Sequence, residues 1–319
     1  MGLLRHTKRP LSPTRFLACT FITLLAFSSN HQYQHTASAQ TYYTPVISAG
    51  PAYARTQTKL YILGGDTSTT GLTGQFMSLD LRVAWNITTP AWTQLPDGPK
   101  QSIFPAAFSS DDQTMFVFHL DKTNSPWQYS VRTNTWAAAN ITFENMGWQG
   151  LNVVTDPRTG LMYIPGGYNN ANALVSSPTL SLMETFDPIT LSINHSPLPI
   201  PNQVFPVRWY YQNVWSSTKN LILYFGGNYR QGEVPFSPGL ENIVTAFEPS
   251  SLSWFTFVTP GLTPEMRADH CMAANEDGTK VVLWDFEAPA YYYKDSPAMG
   301  HCDDFEIGKH DYKVRSSNL

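Results

Sequence analysis

The sequence predicts an all-β protein assembled from a repeated unit, and two observations carry that prediction. The first is a short apolar run ending in a glycine pair: KLYILGG at 59–65, LMYIPGG at 161–167 and LILYFGG at 221–227. Two degenerate copies have lost the glycines, MFVFH at 115–119 and KVVLWD at 280–285. With Gly64, Phe118, Gly166, Gly226 and Asp285 as equivalent points, the unit returns every roughly 50–60 residues, a period that marks an array of supersecondary units. The second observation is an aromatic residue behind the apolar run, followed at a constant step by Trp or another apolar residue: Tyr129 and Trp136, Phe186 and Ile193, Phe247 and Trp254. In the first unit Trp92 is present, set apart from residues 76–81 by an insertion. Composition agrees. Charged residues make up only 14% and aromatics 13%, while 24 prolines and 20 glycines punctuate short strands.

The glycine pair has a physical reason. A strand of Ile, Leu, Tyr and Phe is buried on both faces. A sharp exit from it needs positive φ or close approach to a neighbouring backbone, and glycine supplies both. Gly226 is accordingly expected at positive φ, and Trp254 between two packed units. Over roughly residues 52–284, these motifs resemble the kelch repeat family. The resemblance implies a kelch-type β-propeller in which each unit is a four-stranded blade around a central channel. The chain supplies four complete blades and a degenerate or truncated fifth, and the N-terminal strand is available to close a sixth.

In chain order, residues 1–39 read as a secretory signal peptide. Arg5, Lys8, Arg9 and Arg15 give a basic start, residues 16–27 a compact apolar run, and Ala37-Ser38-Ala39 a small-residue cleavage site before Gln40. The apolar run is shorter than the about 20 residues that span a bilayer. A mitochondrial presequence is the competing reading, because residues 1–39 contain no Asp or Glu. Residues 42–48 read as a strand leading into the first blade. Residues 40–298 are assigned to the propeller, and residues 299–319 to an irregular C-terminal tail. Residues 290–294 are a candidate next strand, but no Trp follows. A chain that stops or is mis-joined after Trp284 is one explanation, and the ectodomain of a membrane-anchored kelch protein is the corresponding functional alternative.

Three Asn-x-Ser/Thr sequons, at Asn86, Asn140 and Asn194, fit N-glycosylation of a secreted protein. Cys19 falls in the leader, which leaves Cys271 and Cys302. An oxidising compartment permits a disulfide between them, and two separate thiols are the alternative. A net charge of −4 with no basic cluster argues against nucleic acid or an anionic membrane as partner. No run of 18 apolar residues predicts a membrane span.

Binding is expected on the loops that follow the glycine pairs, residues 66–74, 168–177 and 228–238, which should gather on one face of the disc. The candidate contact residues are Asp66, Tyr168, Asn169, Asn228, Tyr229 and Arg230, facing a protein or glycan partner. The resemblance also reaches secreted fungal-type copper radical oxidases similar to galactose oxidase, which need a Tyr–His pair, a second His, a second Tyr and a Cys linked to Tyr. None of His119, His195, His270, His301 and His310 directly follows a Tyr here. The run His301-Cys302-Asp303-Asp304 gathers ligand types, but in the irregular tail. Nucleophile, zinc-protease and phosphate-loop motifs are missing. The expected function is a secreted, non-enzymatic binding module with no metal and no cofactor, with copper radical oxidase chemistry as the alternative.

Overall fold

The computed structural model describes residues 43–86, 89–118, 125–141, 152–165, 182–194, 198–199, 208–209, 211–229, 243–258, 270–274, 280–284 and 302–306. Among them every regular element is a strand. Blade 1 runs from the hub outward as Ala52–Arg55, Lys59–Leu63, Phe76–Asp80 and Thr93–Leu95. Blade 2 is Ala106–Phe108, Thr114–Val117, Trp127–Ser130 and Thr135–Ala138. Blade 3 is Val154–Thr155, Met162–Pro165, Leu182–Asp187 and Ser192–Ile193, with Leu198–Pro199 also paired to its third strand. Blade 4 is Gln212–Ser216, Leu221–Phe225, Ile243–Glu248 and Ser253–Val258. A fifth, three-stranded sheet holds Cys271–Ala274, Lys280–Trp284 and Cys302–Glu306. The first strand of each sheet lies against the first strand of the next, so the first strands form the hub of a β-propeller arrangement of four full blades and a partial fifth.

The constant aromatic step is a register rule. Tyr129 faces Trp136 directly across the strand pair, Phe186 faces Ile193, and Phe247 faces Trp254. Each pair encloses the same turn, and each turn places a non-glycine residue in the left-handed region: Asn134 at φ 55°, Leu191 at 52° and Leu252 at 55°. Asn134 suits this region, and its Oδ1 accepts a 2.6 Å bond from the Tyr129 hydroxyl. The paired aromatics then fill the space between blades. Trp136 lies against Phe76 of blade 1 with ring centroids 4.9 Å apart, and its indole N–H donates to Pro96 O at 3.0 Å. Trp254 lies 5.0 Å from Phe247 and 5.4 Å from Tyr224, in a cluster shared with Tyr163, Met183 and Phe186 of blade 3. Blade 1 has the same architecture in spite of its insertion: Trp92 is buried with Leu60, Ile62, Met77 and Leu79.

Register also corrects three expectations. Met115 pairs with Tyr129 as Met162 pairs with Phe186 and Ile222 with Phe247, so the residue equivalent to Gly64 in blade 2 is His119, one beyond Phe118. Residues 43–48 are not a strand. They are held instead by the Gln75 side chain, whose Oε1 accepts from Val46 N at 2.9 Å and whose Nε2 donates to Val46 O at 2.6 Å. The amide fills the place of a strand's backbone, so no ladder is needed and no sixth sheet starts among the described residues. Finally, Cys302–Glu306 lies within the segment expected to be irregular, yet it pairs along the whole of Lys280–Trp284. Its sequence, CDDFE, lacks the apolar run that marked the other strands, because it docks on a partner strand that already carries the pattern. Residues 290–294 lie outside the described residues.

Candidate functional site

The glycine pairs mark corners, and the corners build one face. Gly64 and Gly65 have φ of 73° and 100°, and Gly226 and Gly227 have 69° and 88°. The strands flanking each pair meet in the same way: Ala52 with Leu63, and Gln212 with Phe225. Beyond the corner both hairpins continue as a short second ladder. Asp66 bridges Ala49 through two 2.8 Å backbone bonds, and Asn228 pairs with Trp209. Each of these partners lies the same three residues outside the blade's last pair. Two blades thus raise matching arms above the same end of the hub. Close approach explains the glycines as well as φ does. A Cβ on Gly64 would sit 2.6 Å from Gln101 O, and one on Gly65 would sit 2.3 Å from Ser48 Oγ. Gly65 N donates to Gln101 O at 2.7 Å, and Gln101, fully buried, donates its side-chain amide to Leu63 O at 3.0 Å. The chain entering blade 2 therefore locks the corner of blade 1.

Asp66 is exposed, at the base of the first arm, whose own strands are Asp66–Thr67 and Gly71–Leu72. Asn228 and Tyr229 form the second arm with Arg208–Trp209. Tyr168, Asn169 and Arg230 lie outside the described residues, as does the third glycine pair. Asn86, Asn140 and Asn194 are all exposed.

The hub at this same end carries side chains that the loop-centred sequence reading passed over. Counting inward from each corner, the equivalent first-strand positions are Ala52, Pro105, Asn152, Gln212 and, in the fifth sheet, Cys271. The amides at two of these positions meet Tyr53 across the ring. The Tyr53 hydroxyl donates to Gln212 Oε1 at 2.8 Å and accepts from Asn152 Nδ2 at 3.3 Å, and Asn152 Nδ2 also donates to Gln212 Oε1. Asn213 Nδ2 donates to Asn152 O at 3.0 Å. Blades 1, 3 and 4 are thereby tied through uncharged groups. Burial raises the Tyr53 pKa, and the bond from Asn152 offsets only part of that, so the phenol stays protonated and remains a donor at neutral pH. The only sequence signal was the polar pair Gln212-Asn213 opening an otherwise apolar unit, and such a signal does not single itself out without the register.

Cys271 and Cys302 both lie opposite Trp284, on either side of it. Two strand spacings separate them, about 9.5 Å. A disulfide requires Cα atoms within about 7 Å. Among the described residues no three His, Cys, Asp or Glu side chains gather in a group able to hold a metal, and no helix is long and apolar enough to cross a membrane. His270 is buried at the start of the fifth sheet, its ring edge-on to Phe225 at 5.8 Å, and His119, His195, His301 and His310 lie outside the described residues.

No family model matches the chain, and no curated protein matches it in sequence. Among solved structures it is similar to a propeller protein described as "Structure of YjhT". The TM-score is 0.54 at 18% identity, over 75% of this chain and 73% of that one. At this identity the likeness concerns the fold.

Proposed function

We propose that the chain is a secreted, glycosylated kelch-type propeller that binds a protein or glycan partner at the face where the glycine corners lie, without catalysing a reaction. The observation that carries this reading is the pair of matching arms at Asp66 and Asn228, raised above a hub whose polar side chains open toward the same end. Rigid blades hold these segments in fixed relation, as a recognition surface requires. A propeller is equally a scaffold for enzymes, and fold does not decide between the two uses. The argument for binding is structural: two arms of the same build are held above uncharged polar side chains at one end of the hub. Exposure of Asn86, Asn140 and Asn194 supports glycosylation in a secretory route.

The test has two parts. The full chain is expressed with its own leader in a eukaryotic host, and a mass shift on enzymatic removal of N-glycans is expected in the medium fraction. The purified protein is then screened on arrays of glycans and of extracellular proteins. Replacing residues 228–238 with a Gly-Ser segment of equal length should abolish the strongest interaction while leaving the melting temperature within a few degrees. Interaction unchanged by that replacement would remove the face as the binding site.

A further inference from the structure

We infer that the buried Gln75 side chain is a clamp for an extended peptide, that residues 43–48 fill it here as a displaceable strap, and that a protein partner takes their place with an extended segment of its own. This inference deepens the binding reading above, rests on it, and chooses protein over glycan.

The clamp is a built site with its occupant in place. Gln75 is 5% exposed. Its Oε1 accepts from Val46 N at 2.9 Å and its Nε2 donates to Val46 O at 2.6 Å, so one side chain reads both polar groups of one residue. An extended residue presents that N–H and C=O side by side, as it does to a neighbouring strand. The clamp's own backbone is fixed. Gln75 N donates to Thr73 Oγ1 at 3.1 Å, and Gln75 O accepts from Gly64 N at 2.8 Å. Two residues beyond Val46, the Ser48 hydroxyl is 2% exposed; it accepts from Gln75 Nε2 at 3.3 Å and donates to Gly64 O at 3.0 Å. Its seat exists because residue 65 is glycine. Three residues before Val46, Tyr43 packs against Leu60, Met77 and Trp92, and its N donates to Trp92 O at 3.3 Å. At the positions equivalent to Gln75 the other full blades carry Ser125, Leu182 and Ile243, so the amide is not a feature of the repeat.

The occupant is held by its backbone and two anchors, and not by the side chains between them. Thr44 is exposed, and Val46 and Ile47 are 51% and 46% exposed. A strand proper, such as Leu221–Phe225, is buried along its whole length. Two aliphatic side chains left in solvent contribute little to holding the strap, so a rival with the same backbone pairing and more apolar area buried displaces it. That rival competes with a tethered segment whose effective concentration is on the order of millimolar, and must bind the emptied clamp well below that. The clamp lies at the proposed binding face, because the residue after Ser48, Ala49, bridges Asp66 at the base of the first arm. The occupant defines the chemistry that fits: an aromatic residue, three residues on an extended residue other than proline, and two further on a small hydroxyl.

The probe is a labelled peptide of residues 42–49, titrated into the full chain by fluorescence anisotropy. Val46→Pro in the chain removes the strap's own N–H and leaves the clamp intact. This variant should bind the peptide saturably and about tenfold more tightly than the parent chain, whose strap competes. Adding Gln75→Leu, or N-methylating the peptide at Val46, should weaken binding about tenfold. Equal binding by Val46→Pro and the parent, or binding indifferent to Gln75→Leu, overturns the clamp. Hydrogen exchange on the parent chain gives a readout that needs no variant to fold: the Val46 amide should exchange about a hundredfold faster than that of Ile62. Exchange as slow as that of Ile62 makes the strap a fixed part of the fold, and the inference falls. On the arrays of extracellular proteins and glycans, Val46→Pro should strengthen the main protein interaction. Glycans as the only ligands, or a protein interaction that the substitution leaves unchanged, also overturn it. Loss of partner binding on replacing residues 228–238, with no peptide bound by Val46→Pro, keeps the binding face and removes the clamp.

Discussion

The outer halves of the blades and the hub follow opposite rules. In the outer halves the same solution is written repeatedly: an aromatic residue opposite Trp or Ile, with a left-handed residue in the turn between them. At the hub, equivalent positions carry Ala52, Pro105, Asn152 and Gln212 in succession. Repetition builds the interfaces between blades, where every blade faces the same packing problem. The hub is where blades meet across the ring, and there each can differ. Recognition chemistry is to be sought where a repeat protein departs from its repeat.

The contrast can be broken at its strong end first. Trp254→Ala should destabilise the protein by about 3–5 kcal/mol in urea or thermal unfolding, because it opens a cavity between blades 3 and 4. A loss under about 1 kcal/mol would mean that the repeated pairs are not what holds the blades together.

The corners come next. Gly226→Val should cost roughly 1–3 kcal/mol, since φ is 69° and valine is strained there. Gly71→Ala is the control. Its φ is 74°, but a Cβ would meet no atom within 4 Å, so only backbone strain of about 1 kcal/mol remains. Equal costs at the two sites would show that β-branching and close packing add nothing to the corner.

A third prediction concerns acid. The Asp156 side chain is fully buried in the turn between the first two strands of blade 3. Burial pushes its carboxyl up, but the side-chain and backbone hydrogen bonds from Arg158 and its charge outweigh this and hold it below the usual value of 3.8. A depressed pKa stabilises the fold above the unfolded value, and that contribution is lost as pH falls through the folded value. Stability from this group should therefore be level from pH 7 to about 4.5 and decline below about pH 4. Asp156→Asn should lower stability at pH 7 by about 1 kcal/mol, a modest figure because Arg158 is partly exposed, and should flatten the acid limb of the curve. An unchanged acid limb would place the acid sensitivity elsewhere.

The smallest effect sharpens the rule of the turns. Leu252 is exposed and sits at φ 55°, where Asn134 stands in blade 2. Leu252→Asn should raise stability by about 0.5–1 kcal/mol. A loss would mean that Leu252 makes a packing contribution its exposure does not suggest.

The legibility of the sequence divides along the same line. The four full blades, their hairpin order and the corners at Gly64 and Gly226 were readable because each depends on local chemistry repeated at one spacing, as in residues 59–65 and 221–227. The positions of Asp66 and Asn228 just beyond the corners were readable for the same reason, since they follow the glycines directly. Tyr53, Asn152 and Gln212 were not readable as a cluster. They converge only when four blades have been wound into a ring, and no local pattern records that. Cys302–Glu306 was missed because a third strand can borrow its pairing from Lys280–Trp284 without showing a pattern of its own. Residues 43–48 were misread because a glutamine side chain replaced the neighbour that a strand would have needed.

The bond between Tyr53 and Gln212 joins positions 159 residues apart. Most packing in this molecule links a blade to the next, so folding can spread along the chain with short loops to close at each step. The hub bond has no such route. Its two ends find each other only after the intervening blades are in place, and the entropy of that long loop has been met by their docking. Its formation is thus a natural end point for the folding reaction. In a refolding experiment it marks when the ring, as distinct from its blades, comes into being.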